Sequence, residues 1–255
     1  MHSRVLRFSR CWHVRSSLNL GTFAPVRVYK SKGLHVCTLL DRRCATTVAS
    51  EFADAGDLHV RQKLLETARL SVATGCITEV KGVDAIVNCA NEHLVGTQLP
   101  YINLDGSGGC VFDCVDRIIH KRAGPALHEA CMALSVMEES DDPRWGGIRC
   151  TVGHARTTAA FELPFCKYIV HAVGPPWPGS GEELREVYHA CIDAALKEGG
   201  DERSEQISTI AVPALSSGVH QWPRDMSWAA AVEVFGSHLL EAERSGSEDR
   251  RLDRV

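Results

Sequence analysis

The chain has 255 residues, of which 44% are hydrophobic and 24% charged, values that are ordinary for a globular protein with one main domain. No apolar run approaches the roughly 20 residues that a membrane-spanning helix needs, so we expect no membrane span. Beyond position 43 the chain has 19 basic and 31 acidic residues, and so acidic a remainder argues against charge-driven nucleic-acid binding.

The first segment, residues 1–43, contains nine Lys or Arg and one acidic residue. A stretch that is rich in Arg, contains Ser and is poor in acids is typical of organelle transit peptides. We therefore predict that 1–43 is a disordered, transit-like segment and that the protein is located in the mitochondrial matrix. The alternative is a disordered tail or upstream sequence from a misplaced start codon, with a cytoplasmic or nuclear protein. Residues 44–68 are predicted to be a linker with a short helix, followed by one domain at 69–255.

The eleven cysteines are scattered along the chain and include no CxxC pair. Most lie in apolar segments, among them Cys89, Cys131 and Cys191, where a reduced cysteine behaves as a small hydrophobic residue. An odd number without paired spacing favours a reducing compartment over a disulfide scaffold.

Residues 84–91, with the sequence DAIVNCAN, form a short apolar run that ends in polar residues. This pattern predicts a buried strand of an α/β sheet. Ligands of such sheets lie outside the carboxyl ends of the strands, which is where Asn88 and Asn91 are expected.

A glycine-rich loop and a helix start follow this strand. Gly106, Gly108 and Gly109 would let main-chain N–H groups turn towards an anion, as phosphate-binding loops do. Residues 115–120 predict the beginning of a helix, whose positive end would face the same crevice and carry Asp116. Together these features predict a pocket for a nucleotide diphosphate with one carboxylate directed into it.

Along the rest of the chain, predicted strands alternate with predicted helices. This alternation predicts a three-layer α/β/α fold with a mixed central sheet. His120, His154 and His171 lie in apolar or strand contexts, which favours structural roles. We find no GxSxG or HExxH motif and no dinucleotide-binding glycine fingerprint directly after a strand, which argues against a serine hydrolase, a zinc protease and a dehydrogenase. The predicted strands are 69–73, 84–91, 150–157, 167–172 and 209–215, and the predicted helices include 125–133, 182–197 and 228–240.

Several segments, in a consistent order over residues 70–240, resemble the motifs of the macrodomain family, and among its members most resemble MacroD-type ADP-ribosylhydrolases. They are DAIVNCAN, GSGG, VDRIIHKRAGPAL, KYIVHAVGP and TIAVPALSSGV. The resemblance implies the macrodomain fold and an enzyme that removes mono-ADP-ribose from acidic side chains, with deacetylation of O-acetyl-ADP-ribose as a further activity. It implies ADP-ribose, ADP-ribosylated proteins and O-acetyl-ADP-ribose as partners, and no required cofactor.

The resemblance also assigns roles to residues. Asn91 would bind the distal ribose, and Asp116 would orient or deprotonate water as a general base. Gly106–Gly109 and Ser216–Val219 would hold the diphosphate. The residues implied to contact ADP-ribose are Cys76, Ile77, Asn88, Ala90, Gly106, Ser107, Gly108, Gly109, Val115, Ser216, Ser217, Gly218, Val219 and His220.

This chain departs from the family pattern in several places. Cys76 stands where the family has an Asp that binds the adenine amino group, so adenine recognition would rest on Ile77 or on other groups. His220 and Gln221 replace an aromatic residue and a glycine in the second loop. Residues 97–105 are an insertion relative to the MacroD pattern. Because residues 241–254 are polar, we expect the sheet to lack its last strand.

Two alternatives to this enzyme remain open. Some macrodomains carry catalytic zinc on Cys and His residues near the corresponding helix, and here Cys110 and Cys114 could contribute, although Phe112 stands where a His is expected. Two cysteines alone do not complete a tetrahedral site. The other alternative is a reader that binds ADP-ribose without turnover, which Cys76 and the altered second loop favour and the presence of both Asn91 and Asp116 opposes.

Overall fold

The computed structural model describes residues 36–39, 70–73, 76–97, 101–102, 109–110, 114–141, 145–198 and 207–245, all within one compact unit, Ser31–Val255. Most of the predicted transit-like segment, the linker, the glycine loop at 106–108 and the predicted absence of a last strand lie outside the described residues.

A six-stranded sheet forms the centre, with the strand order β2-β1-β8-β3-β7-β6. Neighbouring strands run parallel except β6 and β7, which are antiparallel, so the sheet is mixed as predicted. The strands of this sheet are β1 (Val36–Leu39), β2 (Leu70–Ala73), β3 (Ala85–Cys89), β6 (Ala155–Ala159), β7 (Tyr168–Ala172) and β8 (Ile210–Val212).

Helices cover both faces of this sheet, as the alternation of its buried residues shows. Ala85 and Val87 pack in one hydrophobic cluster with α3 (Gly181–Glu198) and α4 (Arg224–Ser245), whereas Ile86 packs in a second cluster with α1 (Val115–Ala123) and α2 (Pro125–Ala133). Successive strand residues point to opposite faces. The predicted three-layer α/β/α architecture is therefore confirmed. None of the described helices combines the length and apolar character needed to cross a membrane.

Several strands differ from the sequence-based prediction: the predicted strand 150–157 corresponds to β6 (Ala155–Ala159), the predicted strand 209–215 shortens to β8 (Ile210–Val212), and further segments form strands where none was predicted. β1 lies inside the segment 1–43, so the sheet extends beyond the predicted domain start at residue 69, because main-chain pairing joins β1 to both β2 and β8. Residues 109–110 were predicted as part of a glycine loop. They form β5 (Gly109–Cys110), which pairs with β4 (Tyr101–Ile102) in an antiparallel ladder.

The parallel strands β3, β7 and β8 bring their carboxyl ends to one edge of the sheet. Residues 90–97, 173–180 and 213–223 follow these ends. The opposite edge is fixed by Asp84, whose Oδ2 accepts hydrogen bonds from the N–H groups of Ser208 (2.9 Å) and Thr209 (2.8 Å). Asp84 thereby holds the start of β8 beside the start of β3. The same strand register aligns the carboxyl ends of these strands at the other edge.

A closed ring of hydrogen bonds anchors the segment after β8 to the two helices below it. The hydroxyl of Ser227 donates to the Leu215 carbonyl (2.7 Å), and the Leu215 N–H donates to the hydroxyl oxygen of Tyr188 (2.9 Å). Since the Ser227 proton is already engaged, Tyr188 donates to Ser227 Oγ across the remaining 2.7 Å. Tyr188 and Ser227 are both completely buried.

Replacing Tyr188 with Phe should lower the free energy of unfolding by about 1–3 kcal/mol, because the buried Leu215 N–H loses its acceptor. Urea denaturation measures the change. Tyr168→Phe is the matched control, since no hydrogen bond of the Tyr168 hydroxyl to another described residue is present. Equal stability of the two variants would contradict the role proposed for this ring of hydrogen bonds.

Candidate functional site

The carboxylate of Asp116 is buried between the sheet and the loop after β3. Its side chain is 2% exposed. Oδ1 accepts a hydrogen bond from Nδ2 of Asn88 (2.7 Å), and Oδ2 accepts one from the hydroxyl of Thr97 (2.7 Å). Because a buried carboxyl group without hydrogen-bond partners is strongly unfavourable, these two bonds offset the cost of burying Asp116.

A chain of hydrogen bonds continues from Asn88 into the sheet. Asn88 lies beside His171 in the register of β3 and β7, and its Nδ2 is 3.2 Å from Nδ1 of His171. An amide nitrogen only donates, so Nδ1 accepts and the neutral ring carries its proton on Nε2. That proton is donated to Thr158 Oγ1 (2.9 Å), whose hydroxyl donates to the Ala159 carbonyl (3.1 Å).

Burial determines the charge state of His171. The ring is completely buried, and desolvation together with the neighbouring His120 lowers the pKa of His171 to about 3. His171 is therefore neutral at physiological pH, in agreement with the structural role predicted for it. Its function is to hold Asn88, which in turn holds Asp116.

His120, Cys131 and His171 form a group whose ligand atoms all lie within 4.8 Å of one another, a spacing that could suit a metal ion. The hydrogen-bond network opposes this use, since His171 Nε2 carries a proton and donates it to Thr158. Burial, reinforced by Asp116, also raises the pKa of the Cys131 thiol to about 12, whereas metal binding requires the thiolate. We therefore interpret this cluster as part of the core.

The zinc ligands considered from the sequence lie elsewhere. Cys114 is half-buried at the N-cap of α1, and its side chain makes no capping hydrogen bond. The main chain of Cys110 belongs to β5, but its side chain lies outside the described residues. The predicted site residues Gly106, Ser107 and Gly108 are outside them as well.

Asn91 shapes the turn that follows β3. Its carbonyl accepts the N–H of Leu94 (3.0 Å), and its side-chain Oδ1 accepts the N–H of Val95 (3.4 Å). Among the described contacts no hydrogen bond joins Asn91 to Asp116. Asn91 is half-buried, and Ala90 before it is buried. Asn88 and Asp116 are thus brought together, while Asn91 acts here on the main chain of its own loop.

The loop after β8, residues 213–223, contains the predicted diphosphate-binding residues Ser216–Val219 and has the features of an anion-binding segment. Ser216 adopts a φ of +60°, and its hydroxyl is buried without a partner among the described residues. The N–H groups of Gly218 and Val219 likewise have no hydrogen-bond partner in the described part of the chain. Strained residues and free N–H groups gather where backbone turns towards a ligand.

This loop packs against the loop after β7. A Cβ atom at Gly174 would overlap the hydroxyl of Ser216, so the two loops approach each other closely at this glycine. The N–H of Trp177 donates to the carbonyl of His220 (2.8 Å). Burial lowers the pKa of the His220 imidazole, an effect opposed by hydrogen bonds to the main chain of Gly174 and Pro175. The two loops therefore form one continuous rim.

The residues at the predicted adenine-binding end are Cys76 and Ile77. Ile77 is 4% exposed and belongs to the core on the α1 side. The thiol of Cys76 lies 3.0 Å from Thr78 Oγ1, a short polar contact within the turn. A surface pocket of about 600 Å³ borders Thr78, with lining residues Thr78, Glu79, Lys81, Gly82, Pro164 and Phe165. Arg122, at the end of α1 remote from Asp116, binds Thr78, so this pocket is separate from the carboxylate.

Two members of the site were missed by the sequence analysis. Thr97 was assigned to the extra segment 97–105 and had no role, and Thr158 had none either. His171 was recognised only as structural. A hydroxyl next to Gly96 in a loop is too common to be a signal, and the pairing of Asn88 with His171 depends on strand register, which one sequence does not provide.

Known proteins resemble this chain over most of its length. The sequence profile of the Macro domain family matches residues 87–231. An "O-acetyl-ADP-ribose deacetylase" of Salmonella gallinarum is 38% identical over 177 residues, which cover 68% of this chain and 80% of that protein. A "Macro domain-containing protein" of Methanosarcina mazei is 34% identical over 179 residues, 70% of this chain and 78% of that protein. A solved macrodomain of Oceanobacillus iheyensis matches 66% of this chain and 75% of its own at 27% identity, with a TM-score of 0.49, too low to establish a shared fold by itself.

The neutral His171 predicts a pH dependence of stability. Unfolding returns the ring to an ordinary pKa of about 6.5, so between pH 6.5 and about 3 the unfolded chain binds one more proton than the folded chain. Stability should therefore be complete above pH 6.5 and fall as the pH is lowered towards 3. Urea denaturation from pH 4 to 8 tests this.

His171→Leu is the matched variant for this measurement. It should be less stable at neutral pH because Asn88 and Thr158 lose a partner, yet its stability should depend less on pH below 6.5. The same slope in both proteins would show that His171 does not carry the effect.

Proposed function

The chain belongs to the Macro domain family, and from this premise we propose that it is a hydrolase that binds ADP-ribose and cleaves an ester between its ribose and an acyl group. The acyl group would be an acidic side chain of a mono-ADP-ribosylated protein, or the acetyl group of O-acetyl-ADP-ribose. The name of the Salmonella relative supports the second substrate. The observation that carries the proposal is the ionisable side chain of Asp116, held by Asn88 and Thr97 beside the carboxyl ends of the strands.

The loop 213–223 supplies the means of holding the diphosphate. The N–H groups of Gly218 and Val219 and the hydroxyl of Ser216, which have no hydrogen-bond partner among the described residues, are donors that a phosphate oxygen can accept from. The positive end of α1 lies at the same edge of the sheet. Because main-chain donors do this work, no cationic side chain or metal is needed to bind the anion.

Asp116 would act as the general base. A carboxylate oxygen accepts up to two hydrogen bonds, and each oxygen of Asp116 receives one from the protein, so capacity remains for a water molecule. The carboxylate takes a proton from this water, and the water oxygen adds to the acyl carbon. The bond between that carbon and the ribose oxygen then breaks, and the proton passes to the ribose oxygen. General-base catalysis contributes about 100-fold or more to such a step.

A reader without turnover is the second candidate. It is favoured by the depth of Asp116, since 2% exposure leaves water and substrate little access to the carboxylate. Cys76 in place of a charged acceptor points the same way. Both candidates share the binding loop and differ only in whether Asp116 reaches a water molecule when ADP-ribose is bound.

Asp116→Asn should separate the candidates. The variant keeps the shape of the side chain, its oxygen can still accept from Asn88, and its amide can donate to the Thr97 hydroxyl. We expect release of acetate from O-acetyl-ADP-ribose to fall by about 100-fold or more, with ADP-ribose affinity changed far less. Near-normal turnover in the variant would refute Asp116 as the base. Binding without turnover in the wild type would establish the reader.

Gly218→Glu tests the diphosphate site. A Cβ at Gly218 meets no described atom within 4 Å, so a side chain fits there without disturbing the fold. We expect Glu to abolish ADP-ribose binding in calorimetry, because its charge would face the phosphates. Gly218→Gln has the same size without the charge and should retain measurable binding, with the difference between the two shrinking at high salt. Equal affinities for Glu and Gln would place the diphosphate elsewhere.

A further inference from the structure

Thr97 makes a direct contact with the candidate base that neither its residue type nor its position in the sequence suggests. Its hydroxyl donates to Oδ2 of Asp116 at 2.7 Å. We propose that Thr97 is a positioning residue for Asp116: its hydroxyl fixes the orientation of the carboxylate that takes the proton from water. The catalytic part of this inference rests on the proposed function.

The loop before Thr97 is built to deliver this hydroxyl. Leu94 is completely buried with a φ of +59°, and Asn91 holds the turn through the N–H groups of Leu94 and Val95. Gly96 follows with a φ of +75° and lies against the ring of His120, where a Cβ would come within 2.9 Å of Cγ. Only glycine allows the chain to pass this close, and the next residue then meets Asp116.

The carboxylate is thereby held from two sides. Asn88 is fixed to the sheet through His171 and binds Oδ1, whereas Thr97 is fixed to the loop and binds Oδ2. Two donors on different oxygens define the plane of a carboxylate, which one donor cannot do. A general base positioned in this way keeps its free lone pairs in a constant direction.

The remaining groups around Asp116 do not replace Thr97. His120 on α1 has Nε2 at 3.5 Å from Oδ1, beyond a good hydrogen bond, and burial lowers the pKa of this ring, so it is neutral. The thiols of Cys89 at the end of β3 and Cys131 on α2 have pKa values raised to about 12, by burial first and Asp116 second. His171 on β7 is neutral and reaches Asp116 only through Asn88. Among the described residues, Thr97 and Asn88 are the donors that bind this carboxylate.

The experiment compares Thr97→Val with Thr97→Ser. Val has the shape of Thr without the hydroxyl, whereas Ser keeps the hydroxyl. With O-acetyl-ADP-ribose as substrate, Thr97→Val should lower kcat by about tenfold or more and leave the Kd of ADP-ribose within about twofold. Thr97→Ser should restore kcat.

A second readout does not depend on turnover. NMR of protein labelled with carboxyl-13C aspartate, at neutral pH, reports the hydrogen bonding of the Asp116 carboxyl group, whose signal is assigned by its loss in Asp116→Asn. Thr97→Val should shift this signal because the carboxyl group loses a donor, and Thr97→Ser should leave it in place. Thermal melting confirms that both variants fold.

The outcomes divide clearly. An unchanged Asp116 carboxyl signal in Thr97→Val, or a Ser variant that behaves like Val, overturns the inference. So does faster turnover in Thr97→Val, which would make Thr97 an obstacle in front of the base. If the wild type binds ADP-ribose without hydrolysis, the proposed function fails, while the NMR shift alone still decides whether Thr97 holds the carboxylate.

Discussion

The side-chain amide nitrogen of Asn88 donates two hydrogen bonds, one to Asp116 at 2.7 Å and the other to His171 at 3.2 Å. The first joins the first turn of α1 to β3, and the second joins β3 to β7. Since the amide nitrogen has no lone pair to offer, it also decides which nitrogen of His171 carries the proton and therefore how Thr158 is used. The position of the candidate base and the tautomer of a core histidine are thus consequences of one side chain. Reversing this amide would place its oxygen against a carboxylate oxygen, which electrostatic repulsion forbids.

A buried carboxylate is an unusual element in an α/β core, and the structure supports it with donors from two independent elements. The donor from the sheet is rigid because His171 and Thr158 are packed beneath it. The donor from the loop depends on Asn91, Leu94 and Gly96, which the sequence analysis treated as ligand-binding or unremarkable positions. Of the residues in which this chain departs from the family pattern, Thr97 contacts the carboxylate itself.

Most of the fold was predictable because periodicity reports burial directly. The predicted strand 167–172 corresponds to β7 (Tyr168–Ala172), and the predicted helix 182–197 to α3 (Gly181–Glu198). The family was identified from short motifs whose residue types and order are distinctive. Thr97 and β1 were missed for a common physical reason, since their roles come from partners distant in sequence, Asp116 for one and β2 and β8 for the other. The location of Gly109 in a strand was missed because two residues are too few for a periodic pattern.

The rim formed by the loops after β7 and β8 contains a pair of indole rings, Trp177 and Trp222, whose centroids are 4.9 Å apart in an edge-to-face arrangement. Trp222 is buried, whereas Trp177 is 41% exposed and is tied by its main chain to His220. An indole that is partly in water emits light at a wavelength that depends on its solvation. A ligand that bound against His220 would change the solvation of Trp177. The fluorescence of Trp177 would then report occupancy of the proposed site without a label and without substrate turnover.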